Sequence, residues 1–505
     1  MEKIPSSFTG SITQEPTADL KDSLIEPIKT TTTDNKYDME AYEVVKELLP
    51  FGNGLSSISA RQALSSIFRL LYSVAVLSPT LVGRVLIDTS GLVFFNMIGD
   101  FDSQTIFGIY DSYYILMYFC MITSLLDKFS IDMSVAFGEK NYYKVREIFT
   151  RSGLVCLILL LFFTLPTIIF AGHILKSIGV DDSMSFRVQE LNRLSIPLLL
   201  FNLTSEYIKS MCLSQGHEQI LGYTSLASVT LTIAANYFVI VEHKMGIQGW
   251  IVTKTVNEVV SLLVALFVYC RTVPQSRGFV PLGVAFKGFG SFLFQALKFM
   301  LSIYPEYLGF EATMYFIVLN KDNNQIAAYS CMINIAGLLF GVGFAFAYIC
   351  RTRVNILLGM GNHKAAKNYF KFFILVNIIT GILVGLALYF GRPFLARAYS
   401  DTTGEMRDWF YKLVLVYSIA SGQELAMNTV LVGMKTIGKV GLLLILNSVI
   451  SMVGSLSIGY VIYRHDGHCD SQFTLYMILC SCLTFLCLAI TLRADWSKIR
   501  EPKLA

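Results

Sequence analysis

Charge is what this 505-residue chain has little of: only 15% of its residues are Asp, Glu, Lys or Arg, where a soluble domain carries about a quarter. That shortage excludes an ordinary water-soluble globule. The net charge is only +4, and the lysines and arginines fall between apolar runs instead of forming one patch, which excludes nucleic acid as a partner. The ten cysteines contain no CxxC pair with metal-like spacing, and several lie inside apolar runs such as "LCSCLTFLC". They read as small, lipid-compatible packing residues, and no metal site is expected. A G-x(4)-G-K-[ST] loop is missing, so no ATP phosphates are cradled in that way. No nucleophile and base pair can be assembled either, so the chain is not expected to be an enzyme or to carry a cofactor.

What is there is hydrocarbon. The chain is 54% hydrophobic with a mean hydropathy of +0.57, and about twelve runs reach the roughly 20 residues that cross a bilayer. They fall near 75–98, 105–137, 148–172, 190–214, 219–242, 247–270, 291–318, 326–357, 366–391, 408–433, 438–462 and 472–493. The fold expected is an all-α polytopic membrane protein. Residues 1–45 are rich in Thr, Ser and Pro and lack a basic stretch followed by an apolar core, so they read as a disordered cytoplasmic tail and not as a cleavable signal peptide. Residues 46–73 include "SARQALSSIFRLLYS", which is amphipathic and reads as an interfacial segment or as an extension of the first span. Residues 495–505 form a second short tail.

Basic residues between the runs give the orientation. Lys140, Lys144, Arg146 and Arg151, then Arg271, Arg277 and Lys287, then Arg351, Arg353, Lys364 and Lys367 fall in connections from even to odd helices. That places these connections and both termini on the cytoplasmic side of a plasma membrane or endomembrane. The chain also matches itself at a shift of about 220 residues: "FGEKNYYKVREIF" at Phe137 recurs in weakened form as "LGMGNHKAAKNYF" at Leu358. Two pseudo-symmetric bundles of six helices follow, 74–275 and 291–494, joined by a linker at 276–290. They share one orientation and enclose a central cleft.

Several stretches resemble one transporter family. "SVAFGEKNYYKVREIFTRS" is similar to the Q-A-x-G-A-x-N element of the multidrug and toxic compound extrusion (MATE) transporters, and "RTRVNILLGMGNHKAAK" to their R-V-x-N-x-L-G-A-G-N-x-x-x-A element. "CLSQGHEQ", then "NYF", then "MGIQGW" follow the family's pattern from the fourth to the sixth helix. Val135 departs from the family's Gln, and Lys435 with Thr436 departs from a G-x-G that ends the tenth helix. Eukaryotic members carry an E-x(4)-E pair in the seventh helix, which "PEYLGFE" places on Glu306 and Glu311. Asn334 falls where some animal members have a third glutamate. Glu424 lies one turn after Ser421, the family's usual acidic position. In the first half, the resemblance to sodium-linked prokaryotic members leaves an incomplete ion site: Asn236 is followed four residues later by Ile240, and Asp88 lies about one turn before the expected acid, with Glu206 nearby in the cleft. Protons are therefore expected to be the coupling ion in preference to sodium.

The chemistry of the pair also stands by itself. A charge at mid-membrane costs about 2.5 to 3.5 kcal/mol on insertion scales, so two persisting glutamates face a wet cavity or a partner. Desolvation favours the neutral form of a carboxyl, while its ionised form is a good ligand for an organic cation, aided by rings such as Tyr307 and Tyr315. Proton and cation then compete for one site. The expected function is export of organic cations or amphipathic metabolites in exchange for protons, by a monomer working between two states. Two alternatives stay open: a non-transporting scaffold with the same fold, and a flippase for lipid-linked substrates.

Overall fold

The computed structural model describes residues 51, 60–177, 179–319, 322–399, 404–465 and 467–499, and every regular element among them is a helix. Twelve long helices organise it. We label them α1 (Ala60–Met97), α2 (101–138), α3 (142–169), α4 (182–213), α5 (218–242), α6 (Gly246–Thr272), α7 (Phe289–Leu319), α8 (Asn323–Gly359), α9 (His363–Tyr399), α10 (Gly404–Thr436), α11 (440–465) and α12 (Cys469–Arg493). Nine of them contain a stretch long and apolar enough to cross a membrane. The remaining three, α4, α7 and α10, carry Glu206 with Lys209, Glu306 with Glu311, and Glu424 within their apolar sequence.

Helix ends follow local chemistry. Asn141 begins α3 by accepting from the Lys144 N–H at 3.0 Å, and Asn362 begins α9 by accepting from the Ala365 N–H at 3.0 Å. Such caps satisfy donors that the helix itself leaves unpaired. Of the segment expected at 46–73, the residues from Ala60 onward are the first turns of α1, as an extension of the first span would have them. Within the expected linker, Leu282–Ala285 is a short helix and α7 begins at Phe289. The tail expected at 1–45, all of 46–59 except Phe51, and the part beyond 499 of the tail expected at 495–505 lie outside the described residues, while Trp496–Lys498 forms a single helical turn.

The two lobes repeat one packing plan. In the first, α1 packs with α5, α2 with α3, and α4 with α6; in the second, α7 packs with α11, α8 with α9, and α10 with α12. Across the middle, α2 meets α7 and α8, and α8 meets α1 and α2. The duplicated sequence element lies on this contact. A Cβ built on Gly138 would stand 2.3 Å from the Ile356 carbonyl oxygen, and one on Gly359 would stand 2.1 Å from that of Val135. Gly138 and Gly359, and likewise Val135 and Ile356, are 221 positions apart. The lobes therefore touch through equivalent atoms related by a pseudo-two-fold axis. We call the end holding the turns at 139–141 and 360–362 the basic end, since Lys140, Lys144, Lys364 and Lys367 gather there.

Candidate functional site

Between the lobes lies a cavity of about 380 Å³ with walls from both. Its second-lobe wall begins with α7. Each helical residue advances by about 100°, so Glu306, Phe310, Tyr307 and Glu311 follow one another around an arc of about 140°, and all four line the cavity. The two glutamates bound that arc. A bend at Pro305 is therefore not needed to bring both into one space, and Pro305 lies inside a continuous helix. Proline removes a backbone donor; close by, the Ser302 carbonyl accepts from Asn447 Nδ2 of α11 at 2.7 Å. Gly309, between the glutamates, lets α11 press close, since a Cβ there would meet the Ser451 carbonyl at 2.5 Å.

Glu424 of α10 also lines the cavity at 7% exposure, and its Oε2 has no hydrogen-bond partner among the described residues. Ser421, one turn earlier, points elsewhere, donating to the carbonyls of Gly381 and Ser418 at 2.8 Å each. Asn334 of α8 accepts from Thr89 of α1 at 3.4 Å, a hydrogen bond between the lobes.

The first-lobe wall is charged but largely internally paired. Lys254 Nζ lies 2.6 Å from Asp88 Oδ1 and 4.4 Å from the centre of the Trp250 ring. Lys209 Nζ lies 2.8 Å from Glu206 Oε1. Tyr118 donates to Asn202 Oδ1 at 2.9 Å, and Asn202 in turn donates to Glu258. Asp111 of α2 stands within electrostatic range of Glu311.

Of the residues nominated from sequence, the structure brings Glu306, Glu311, Asn334, Glu424, Asp88 and Tyr307 to this cavity. Two are corrected. Tyr315 is 62% exposed on the outside of the bundle, because it lies about 40° beyond Glu311 on the helical wheel and so outside the cavity arc. Asn236 is fully buried between helices, donating to Ser90 Oγ at 3.2 Å and accepting from Thr253, which makes it a packing knot of α1, α5 and α6. Lys254, Lys209, Glu258 and Asp111 were not anticipated. A signal existed for three of them: Glu206 and Lys209 are three apart, Lys254 and Glu258 four apart, and charges at those spacings share a helix face.

Toward the basic end the cavity gives way to a polar seam. Asp127 of α2 accepts from Arg351 of α8 and, at 2.7 Å, from Lys435 of α10. Arg353 reaches Glu218 Oε1 at 3.3 Å and Ser73 Oγ at 3.1 Å, and Thr352 donates to the Leu213 carbonyl at 3.1 Å. Each of these contacts joins one lobe to the other. Arg351 and Arg353, expected as loop charges, are instead buried inside α8, and Arg151 is buried in α3, where it pairs with Glu147 at 2.7 Å. Their guanidinium groups staple helices together and carry no loop charge.

Comparison with known proteins bears on this architecture. The profile of the MatE family matches residues 79–238 and 300–461, one segment in each lobe. Protein DETOXIFICATION 20 of Arabidopsis thaliana is 27% identical over 286 residues, covering 54% of this chain and 55% of that protein. Multidrug and toxin extrusion protein 2 of Mus musculus is 23% identical over 261 residues, covering 51% of this chain and 44% of that one. The chain thus spans about half the length of the curated relatives it matches. Among solved structures, the eukaryotic MATE transporter AtDTX14 superposes with a TM-score of 0.72 at 17% identity, covering 86% of this chain and 98% of that one. A mutant of the Vibrio cholerae MATE transporter VcmN gives 0.72 at 13% identity, covering 90% and 99%.

Proposed function

The chain belongs to the MatE family, and from that premise we propose that it is a secondary active transporter exporting organic cations in exchange for protons. The observation that carries this reading is the charge of the cavity: seven acidic side chains line it against two lysines, and both lysines are already paired to acids of their own lobe. On the opposite wall, Glu306, Glu311 and Glu424 have no such internal cation beside them in the cavity lining. An anionic carboxylate there attracts an organic cation, and Tyr307 and Phe310 supply π faces to the same guest. A proton neutralises the same carboxylate, so the two ligands exclude each other. Sodium is disfavoured as coupling ion because Lys254 already occupies Asp88 and Asn236 is engaged by its neighbours.

A cytoplasmic basic end, with both chain ends on that side, is supported by Lys140, Lys144, Lys364 and Lys367, since basic residues between spans favour the cytoplasmic face. One chain contains the complete cavity, so a monomer suffices. The acidity disfavours the flippase alternative, whose anionic lipid-linked guests call for basic walls. In proteoliposomes, an imposed pH gradient is expected to drive uptake of a fluorescent organic cation, and Glu311→Gln to abolish it while expression is unchanged. Uptake no faster than in empty vesicles across a broad cation panel would favour the non-transporting scaffold.

A further inference from the structure

Beneath the main cavity, toward the basic end, a second and much smaller space of about 20 Å³ separates the transport site from the seam. Glu306, Asp127, Arg351 and Lys435 all line it. Lys435 is 4% exposed and belongs to α10, while Asp127 belongs to α2 of the other lobe, and the two are 2.7 Å apart. Glu306 lines both spaces. It is thus the one glutamate of the α7 pair that faces the substrate cavity and the inter-lobe seam at once.

Charge counting at this junction gives the consequence. Asp127 is a single carboxylate that holds two cations, Arg351 and Lys435. Arg351 makes poor use of its other donors: Nε and Nη2 are buried without hydrogen-bond partners among the described residues, and its guanidinium carbon lies 4.0 Å from the centre of the Tyr348 ring. With Glu306 ionised, two anions balance two cations. With Glu306 neutralised, a buried positive charge is left in excess at the contact between the lobes, and buried unbalanced charge is costly. Two like charges sharing one carboxylate push the seam apart.

We propose that Lys435 is the positioning residue that passes the charge of Glu306 to the seam: an ionised Glu306 keeps the basic end shut, and neutralising Glu306, by a proton or a bound cation, loosens Lys435 from Asp127 and lets the lobes part. This rests on the transport reading above and adds to it a route from occupancy to conformation. The titratable and charged groups that face Glu306 from other helices are Glu424 and Lys435 of α10, Tyr476, Cys480 and Cys487 of α12, and, across the smaller space, Asp127 of α2 with Tyr348 and Arg351 of α8. Those that face Lys435 are Asp127 of α2, Arg351 of α8 and Glu306 itself. Lys128 is engaged separately by Asp132, one turn along α2, and lies over the rings of Phe292 and Phe299.

The test needs no substrate. Spectroscopic spin labels placed at Lys140 and Lys364, one on each lobe at the basic end, report the inter-lobe distance in purified full-length protein. Lowering the pH from about 8 to about 5.5, a span in which perturbed carboxyls titrate, is expected to lengthen that distance in the wild type. Glu306→Gln is expected to show the long distance already at the higher pH, while Glu311→Gln keeps the wild-type response. Lys435→Gln is expected to make the distance insensitive to pH, and Lys435→Arg to restore sensitivity. A Lys435→Gln protein that still follows pH like the wild type overturns the proposal. So does a monodisperse Glu306→Gln protein with an unchanged distance, which decides the matter even where Lys435→Gln does not fold. Because these readings are taken without any transported compound, an intact response in a protein that moves no cation would sink the transport reading and leave this linkage standing.

Discussion

Lys254 and Asp88 hold each other 2.6 Å apart, joining α6 to α1 on the cavity wall with side chains only 7% and 12% exposed. The first lobe thereby places an ammonium of its own on the acid that faces the cavity. The second lobe sets no ammonium of its own on Glu311 or Glu424 in the cavity lining, and Lys435, which faces Glu306 across the smaller space, is held by Asp127 of the first lobe, so the two walls differ in what they offer a guest.

Removing the ammonium exposes the cost of that arrangement. Breaking one side of a buried ion pair costs about 3 to 5 kcal/mol because the remaining charge stays buried. Lys254→Gln is expected to lower the melting temperature in detergent, and the double change Asp88→Asn with Lys254→Gln to recover much of the loss, since two neutral side chains can hydrogen-bond. A Lys254→Gln protein that melts like the wild type would show that the pair contributes little.

The contact at Gly138 tolerates no side chain. A methyl group 2.3 Å from the Ile356 carbonyl oxygen must push α2 away from α8, and overpacking of this kind costs about 1 to 3 kcal/mol. Gly138→Ala and Gly359→Ala are each expected to destabilise the protein in thermal melts. Their effects are expected to be non-additive, because the first displacement makes room for the second.

Two tyrosines of α7 separate the faces of that helix. Tyr307 lines the cavity and Tyr315 is 62% exposed. Tyr307→Ala is expected to weaken uptake of an organic cation several-fold through its apparent KM, in line with about 1 kcal/mol or more for a cation held over a ring. Tyr315→Ala is expected to leave uptake unchanged. Equal losses from both would remove the cavity arc as the explanation.

Asp322 caps α8 outside the apolar span. The Gln325 side-chain amide, donating at 2.9 Å, and then the backbone N–H groups of Gln325 and Asn324 hold its carboxyl below the usual carboxylate range. A carboxyl whose folded value lies below its unfolded value adds stability above the unfolded value of about 3.9 and loses it as the pH falls further. Asp322→Asn, which can cap but does not titrate, is expected to melt slightly lower than the wild type near neutrality. The difference is expected to vanish on acidification, as read by melting curves taken across that range.

Much of this architecture was legible in the sequence because lipid allows so few solutions. A spanning chain must satisfy its backbone internally, so runs of apolar residues become helices, and Glu306 and Glu311 announce a cavity by their expense. The seam was not legible for a related reason. Arg351 and Arg353 stand near the end of an apolar run, where a linear reading takes them for loop charges, and only the approach of Asp127 and Glu218 from the other lobe shows them to be buried. The pairing of Lys254 was hidden likewise, since its partner Asp88 is 166 positions away. Tyr315 was misplaced because proximity in sequence to Glu311 does not fix the angle around the helix. Asn236 falls at an ion-site position by resemblance, but Ser90 and Thr253, distant in sequence, take up its amide.

The paired close approach of Gly138 to Ile356 and of Gly359 to Val135 has the form of an isologous contact, the same patch used twice about a two-fold axis. Two identical six-helix chains associating side by side, parallel in the bilayer, would meet in this way. The two lobes of this one chain therefore meet with the geometry of a homodimer, yet they are not alike in charge, since the first pairs Asp88 and Glu206 with lysines of its own while the second leaves Glu311 and Glu424 open to visitors.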